Sequence, residues 1–286
     1  MHQCISKSRA VFDKLSLFSV ERLPMNTSLI TTEQRAEAIT ILTLNRPAKR
    51  NALNADLMEA CSQAFESLAQ DQTQRVIILR GEGPVFCAGL DLEEAFLPDN
   101  AERTARLVAR LLRAVYQVPQ VTIAAVQGAA IAGGAGLMSA CDVVVATPDA
   151  RIGYPEVRRG LVAALVMTLL HRQVHERDAR ELLLLGELIS SERARQMGLV
   201  NRITPVERLM EEAMSLARTA LQGGPESIAQ TKKVLDDIWP SSFNHELDET
   251  LLHHLSARNS TEAREGVAAF LERRDPRWQH GSKANT

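Results

Sequence analysis

The chain has 286 residues, of which 45% are hydrophobic and 24% are charged. This length and composition are typical of a globular protein with a full hydrophobic core. The formal net charge of −2 excludes, on bulk charge, a strongly basic nucleic-acid binder. No charge-free apolar run reaches the ~18 residues that a membrane-spanning helix needs. We therefore expect a soluble protein.

The four cysteines are scattered and form no Cys-x-x-Cys pair (Cys4, Cys61, Cys87 and Cys141). This spacing argues against a disulfide framework and against a structural zinc site. His171 and His175 share a helix face but have no evident third ligand. We expect no metal site and a cytoplasmic location.

Residues 1–28 differ from the rest of the chain and are predicted to form a flexible N-terminal extension. The segment is basic and serine-containing, and it has no long apolar stretch, so it is not a secretory signal. Two alternatives stay open. In the first, residues 1–24 are a transit peptide that directs the protein to the mitochondrial matrix. In the second, Met25 rather than Met1 is the true start.

Strands and helices alternate along the first 150 residues. The alternating or continuous apolar runs predict strands at 38–44, 75–80, 121–126 and 142–146. Asn54 is the predicted N-cap of a helix that ends near Gln70, and a second helix is predicted over 101–117. This order predicts an α/β fold with parallel, buried strands.

The remainder of the chain is predicted to be mostly helical. The predicted helices are 161–173, 176–184, 191–197, 206–221, 226–237, 244–257 and 261–273.

Two glycine-containing loops, 83–92 and 128–137, each follow a predicted strand. The second loop lacks the lysine of a P-loop and the third glycine of a dinucleotide fingerprint. Two such loops that converge would each offer a backbone N–H group to a developing oxyanion. The alternative is that the glycines only permit tight turns and close packing.

Several short motifs carry a family resemblance. They are Asn45-Arg46-Pro47 with Asn51-Ala52-Leu53, 86–92, 126–142, Tyr154-Pro155-Glu156-Val157, 194–200 and 265–274. In this order and spacing, the sequence resembles the crotonase superfamily, the enoyl-CoA hydratase/isomerase family. The resemblance runs from about residue 30 to residue 275.

The resemblance implies a crotonase-like spiral of ββα units at 29–205, followed by a helical oligomerisation region at 206–286. It implies a homotrimer or a dimer of trimers. The implied substrate is an acyl-CoA thioester, with coenzyme A as part of the substrate and no separate cofactor. No nucleic-acid or membrane partner is expected.

The resemblance also implies roles for particular residues. The backbone N–H groups of Ala88 and Gly133 would hold the thioester oxygen, and Gly134 adjoins this site. Tyr154 would line the acyl pocket, and Asp91 is expected to be a turn residue or to orient a water molecule.

The coenzyme A end of the substrate would meet a second group of residues. The resemblance places Lys49 near the CoA nucleotide. Phe270 and Arg273 would reach CoA, commonly from a neighbouring subunit.

Arg158 and Arg159 would suit a carboxylate on the acyl chain, or would be surface charges.

The chain keeps one of the two glutamates that family hydratases usually have. Family hydratases usually place a glutamate three residues after the oxyanion glycine, and this chain has Gly136 there. The later glutamate is kept as Glu156. The predicted reaction is hydration of a 2-enoyl-CoA by a single acid/base glutamate. Isomerisation of a 3-enoyl-CoA, thioester hydrolysis, decarboxylation and non-catalytic acyl-CoA binding stay open as alternatives.

Overall fold

The computed structural model describes residues 29–35, 37–97 and 100–279. The predicted extension at 1–28 lies outside the described residues. The strands are β1 (Ile30–Arg35), β2 (Ile39–Leu44), β3 (Val76–Gly81), β4 (Val121–Val126), β5 (Ala129–Ile131), β6 (Val143–Ala146), β7 (Arg151–Gly153), β8 (Ile189–Ser190) and β9 (Arg202–Ile203).

The α-helices, in chain order, are α1 (Ala55–Gln70), α2 (Leu92–Ala95), α3 (Asn100–Gln117), α4 (Gly133–Ser139), α5 (Ala164–Leu170), α6 (Glu176–Leu185), α7 (Ser191–Met197), α8 (Leu209–Ala220), α9 (Pro225–Asp237), α10 (Phe243–Arg258) and α11 (Thr261–Leu271).

The larger sheet has the strand order β1-β2-β3-β4-β6-β9. All neighbours from β2 to β9 are parallel, whereas β1 is antiparallel to β2. All six residues of β2 are buried, as expected for a parallel strand covered on both faces. The predicted α/β class is confirmed.

Alternate residues of the large sheet enter two separate cores. Leu42, Ile77 and Leu79 pack in a cluster with α1 and α3. Ile41 and Ile78 pack in a second cluster with Leu209, Ala213 and Ala217 of α8. Helix α8 thus covers the second face of the sheet although it belongs to the predicted C-terminal region, and the boundary at residue 205 stays a prediction.

Helix α1 begins where the sequence predicts. The Asn54 side chain accepts a hydrogen bond from the Leu57 N–H at 3.1 Å, which satisfies one of the free donors at the helix start. The face with Leu57, Cys61, Phe65 and Leu68 is buried.

The smaller sheet, β5-β7-β8, brings two distant loops to one edge. Strands β5 and β7 are parallel, with Ile131 opposite Gly153. Gly133 and Glu156 follow these strands by two and three residues, so both leave the sheet at the same end. The sequence predicts neither the six-residue strand β1 nor the short strands β5, β7, β8 and β9.

One predicted helix boundary is wrong. The apolar pattern predicts a helix over 161–173, but α5 covers only Ala164–Leu170. Gly160 has a φ of 66° and ends the 3₁₀ turn Pro155–Arg159, so the chain reverses there before the helix starts. Within the described ranges, no helix is long and apolar enough to cross a membrane.

Candidate active site

A cavity of about 340 Å³ opens between the two glycine-containing loops and the C-terminal helices. Its lining includes Ala88, Leu90, Gly133 and Glu156. The sequence motifs at 86–92, 126–142 and 154–157 therefore meet at one place in the fold.

The first glycine loop presents a different N–H group from the one predicted. The Ala88 N–H donates to the Arg50 carbonyl oxygen at 3.0 Å, so it is not available to a ligand. The prediction of Ala88 as a donor is wrong for this reason. Residue Ala88 still lines the cavity.

The N–H group of Leu90 takes the position predicted for Ala88. Leu53 forms a parallel bridge with Leu90, donating to the Gly89 carbonyl oxygen at 2.7 Å and accepting from the Asp91 N–H at 2.9 Å. In such a bridge the N–H of Leu90 points away from Leu53. It has no hydrogen-bond partner among the described residues.

Gly133 lies across from Leu90 at the start of α4. A Cβ atom built on Gly133 would lie 3.8 Å from the Leu90 nitrogen. As the first residue of a helix, Gly133 has no intrahelical acceptor for its N–H, and the described residues supply none. The preceding Ala132 has φ 51° and ψ −122°, a conformation that costs a non-glycine residue free energy. Two backbone donors thus face the cavity.

Glu156 is in the 3₁₀ turn after β7 and lines the cavity. Its Oε2 atom is buried and has no hydrogen-bond partner among the described residues. Burial raises the pKa of Glu156 to about 7, and the residue's own backbone N–H and the nearby Arg159 charge oppose this rise only in part. A carboxyl group in this condition can accept and return a proton near neutral pH.

A valine fills the space beside Gly136, where the family's other glutamate is expected. A Cβ atom on Gly136 would lie only 2.3 Å from Val166 Cγ1. Val166 is buried and lines the cavity. Hydrocarbon therefore takes the place of the second glutamate. Asp91 and Glu93 also line the cavity but are held in ion pairs, so Glu156 is the candidate acid/base carboxylate.

The loops at the cavity are joined by ion pairs. Arg46 Nη1 lies 2.7 Å from Asp91 Oδ2, and both groups are largely buried. Of the two expectations for Asp91, this contact favours the turn residue. Lys49 lines the cavity and pairs with Glu93 at 3.1 Å on the surface.

The C-terminal helix α11 reaches the same cavity within one chain. Phe270 lines it, and the Arg159 guanidinium carbon is 4.3 Å from the centre of the Phe270 ring. Arg273 follows the end of α11 with a φ of 55° and is not among the lining residues. Its contact with CoA stays a prediction.

Besides Arg273, two further predicted substrate-binding residues, Tyr154 and Gly134, are absent from the cavity lining. Tyr154 is fully buried, and its hydroxyl lies 3.0 Å from the Ser139 hydroxyl. Burial raises its pKa further above the usual value for tyrosine. A Cβ atom on Gly134 would meet the Cys87 carbonyl oxygen at 2.4 Å. Tyr154 is thus a core residue, and Gly134 permits close packing of the two loops.

His254 of α10 lines the cavity and was not singled out in the sequence. It lies in a helix whose apolar pattern gives no sign of a site, so only the packing of α10 against α5 and the 161–163 segment reveals it. Leu90 was also missed, because a backbone role leaves no mark on side-chain identity.

Comparisons with known proteins agree with this geometry. The family model described as enoyl-CoA hydratase/isomerase matches residues 34–281. A Thermus thermophilus protein provisionally named an enoyl-CoA hydratase is 39% identical over 247 residues, which is 84% of this chain and 97% of the relative. The 2,3-dehydroadipyl-CoA hydratase of Escherichia coli is 34% identical over 255 residues, covering 88% and 98% of the two chains.

A solved structure is similar to this chain in both sequence and fold. The crystal structure of an enoyl-CoA hydratase from Mycobacterium avium has a TM-score of 0.79 and 32% identity, and covers 88% of this chain and 99% of that one. Family match, sequence identity and fold agree over nearly the whole described chain. This chain belongs to the enoyl-CoA hydratase/isomerase family of the crotonase superfamily and is an enzyme of that family.

Proposed function

We propose that the protein hydrates a 2-enoyl-CoA with Glu156 as its single acid/base. The observation that carries this proposal is the buried Glu156, with a pKa of about 7, in one cavity with the free N–H groups of Leu90 and Gly133. The names of the relatives from Thermus thermophilus and Escherichia coli are in keeping with hydration.

The proposed chemistry uses Glu156 twice. The carboxylate takes a proton from water while the water oxygen bonds to Cβ of the enoyl group. The electrons of the double bond move onto the thioester oxygen, where the N–H groups of Leu90 and Gly133 stabilise the enolate. Protonated Glu156 then returns its proton to Cα. A pKa near neutrality suits both steps, and no separate cofactor is needed.

We propose that the CoA portion of the substrate binds beside the charged residues that line the cavity. Lys49 and Arg50 line it and supply positive charge, which suits CoA phosphates. Phe270 lies on the same cavity and offers an apolar surface. These residues support an acyl-CoA thioester as the ligand of the cavity.

Isomerisation of a 3-enoyl-CoA is the second candidate. The observation that favours it is the contact between Gly136 and Val166, which leaves no space for a second carboxylate to hold water. One carboxylate can move a proton between C2 and C4 through the same enolate. A non-catalytic acyl-CoA binder is the third candidate, and the raised pKa of Glu156 argues against it.

One experiment separates the candidates. The purified protein is mixed in parallel with a short 2-enoyl-CoA and with its 3-enoyl isomer, and the absorbance of the conjugated enoyl thioester is followed. Hydration predicts a catalytic fall with the first substrate. A rise with the 3-enoyl isomer and no fall with the first substrate would assign isomerisation, and no change with either would favour a binder.

We also propose a homo-oligomer, a trimer or a dimer of trimers, and a cytoplasmic location. The first rests on helix α9, in which no residue is buried and Val234 and Leu235 are more than half exposed. The second rests on the scattered cysteines, of which the three described ones are free and buried.

A further inference from the structure

His254 interrupts an otherwise apolar wall of the cavity. The apolar wall consists of the side chains of Val108, Leu161, Leu165 and Val166. Val108, Leu165 and Val166 are buried. An imidazole among these groups is unneeded for holding a hydrocarbon chain, because a leucine would pack there without a polar atom to satisfy.

The His254 ring has a hydrogen-bonding atom with no partner. Its Nε2 is buried and makes no hydrogen bond among the described residues. The ring donates to the Val162 backbone carbonyl, while burial and the charge of Arg258, one helical turn later, lower the pKa of His254 to about 4. The ring is therefore neutral near pH 7. Because its single proton lies on Nδ1 towards Val162, Nε2 is left as a hydrogen-bond acceptor.

The surroundings of His254 favour an oxygen ligand. Arg258 is buried, and its hydrogen bonds go to the carbonyl oxygens of Ala95 and Ala101. Among the described residues it forms no ion pair. Its positive charge beside His254 favours an electron-rich group at this end of the cavity. An apolar chain would leave Nε2 unpaired, and such unpaired groups are what allow a site to reject a chain without the matching polar atom.

We propose that the cavity selects an acyl chain that carries a hydroxyl group, with the hydroxyl donating a hydrogen bond to Nε2 of His254. This inference rests on the proposed function, because it takes the ligand of the cavity to be an acyl-CoA. The selected group is a hydroxyl beyond the thioester, and His254 is a substrate-binding residue that takes no part in proton transfer.

The test measures binding rather than turnover. Isothermal titration compares saturated hexanoyl-CoA with ω-hydroxyhexanoyl-CoA and adipoyl-CoA, and repeats the comparison with the corresponding butanoyl and pentanoyl series. The wild type is expected to bind the hydroxylated thioester about tenfold more tightly than the apolar one of equal length, as one well-placed hydrogen bond provides. Adipoyl-CoA is the control, because its ionised carboxylate can only accept a hydrogen bond and gains none from Nε2.

Three variants assign the preference to His254. His254→Leu is expected to lose the tenfold preference and to bind hexanoyl-CoA at least as tightly as the wild type does, because no unpaired nitrogen then faces the apolar chain. His254→Gln retains hydrogen-bonding atoms and is expected to keep part of the preference. His253→Leu, the matched control at the exposed neighbouring position, is expected to bind as the wild type does.

The wild-type comparison alone can overturn the inference, so it does not depend on a variant that folds. Equal or weaker binding of every hydroxylated thioester contradicts it, as does a preference that persists in His254→Leu. If hydroxylated and apolar thioesters of equal length bind equally tightly, this inference fails and the proposed function stands. If no acyl-CoA binds, both fail.

Discussion

At the scale of single residues, the carboxyl group of Glu156 lies where ionisation costs free energy. Its pKa is about 7 in the folded protein, against an ordinary value of 4.5. Between these values the folded state holds a proton that the unfolded state releases. The free energy of unfolding therefore falls as pH rises from 4.5 to 7, and the loss is complete above pH 7.

Glu156→Gln removes this penalty. The variant is expected to be more stable than the wild type at pH 8, by up to roughly 3 kcal/mol, and to differ little near pH 4. Urea unfolding across this pH range measures the difference. Glu176→Gln, at an exposed position, is the control. Parallel pH curves for the wild type and Glu156→Gln would contradict the raised pKa.

Gly136 and Val166 give a second prediction at this scale. Gly136→Glu forces its Cβ against Val166 Cγ1, and overpacking of this kind costs about 1–3 kcal/mol. The single variant is expected to melt earlier and to gain no hydration. Adding Val166→Ala is expected to recover stability and raise hydration. Thermal melting and the enoyl absorbance assay report both quantities, with Val166→Ala alone as the control.

If the double variant is neither more stable than Gly136→Glu nor faster in hydration, lack of space is not what excludes the second carboxylate.

The residue scale also shows what the sequence can and cannot reveal. Glu156 was predictable because its role depends on a carboxylate in a recognisable Pro-Glu motif. Leu90 was not, because the donor is a backbone N–H whose direction depends on the bridge to Leu53. Tyr154 was misassigned because adjacency to Glu156 in sequence does not determine which face of the turn it occupies.

At the scale of elements, the Arg46–Asp91 pair joins the loop after β2 to the loop that presents Leu90. Glu94 of α2 adds a second link by accepting a hydrogen bond from the Ala55 N–H at 3.0 Å. These contacts hold the first glycine loop against the start of α1. The geometry of the Leu90 N–H thus depends on elements far from it in sequence.

Asp91→Ala is expected to cost roughly 2–3 kcal/mol, because it leaves Arg46 partly buried without its partner. Arg46→Met in the same chain is expected to recover part of that loss. A double-mutant cycle by urea unfolding measures the coupling. Additive losses would mean that the pair contributes nothing to holding the loops.

Long elements were predicted better than short ones. Helices α1 and α3 have many turns over which a 3.6-residue period repeats, so their bounds agree closely with the prediction. Strands β5, β7 and β8 have two or three residues each. So short a strand cannot show a period, and its pairing is decided by tertiary contacts.

At the scale of the whole molecule, helix α9 presents apolar side chains outwards. Ile238, just after it, is 71% exposed, and Val234 and Leu235 are also exposed. In an isolated chain this surface would face water at a cost in free energy. The family resemblance predicts that a second copy of the chain covers such helices.

Light scattering after gel filtration tests the oligomer. The wild type is expected at the mass of a trimer or a dimer of trimers, and the double variant Leu235→Glu/Ile238→Glu at a lower mass, because buried charges oppose association. Lys233→Glu on the same helix is the charge control. A wild type at 31.5 kDa, or a double variant of unchanged mass, would contradict this surface as the interface.

The central claim is that Glu156 performs the acid/base chemistry on a bound acyl-CoA. The most direct measurement compares turnover of a short 2-enoyl-CoA by the wild type and by Glu156→Gln, alongside binding of a saturated acyl-CoA to both. We predict a loss of turnover of at least about a hundredfold with binding retained. Turnover that survives the substitution would contradict the claim, because the proton would then move through another group.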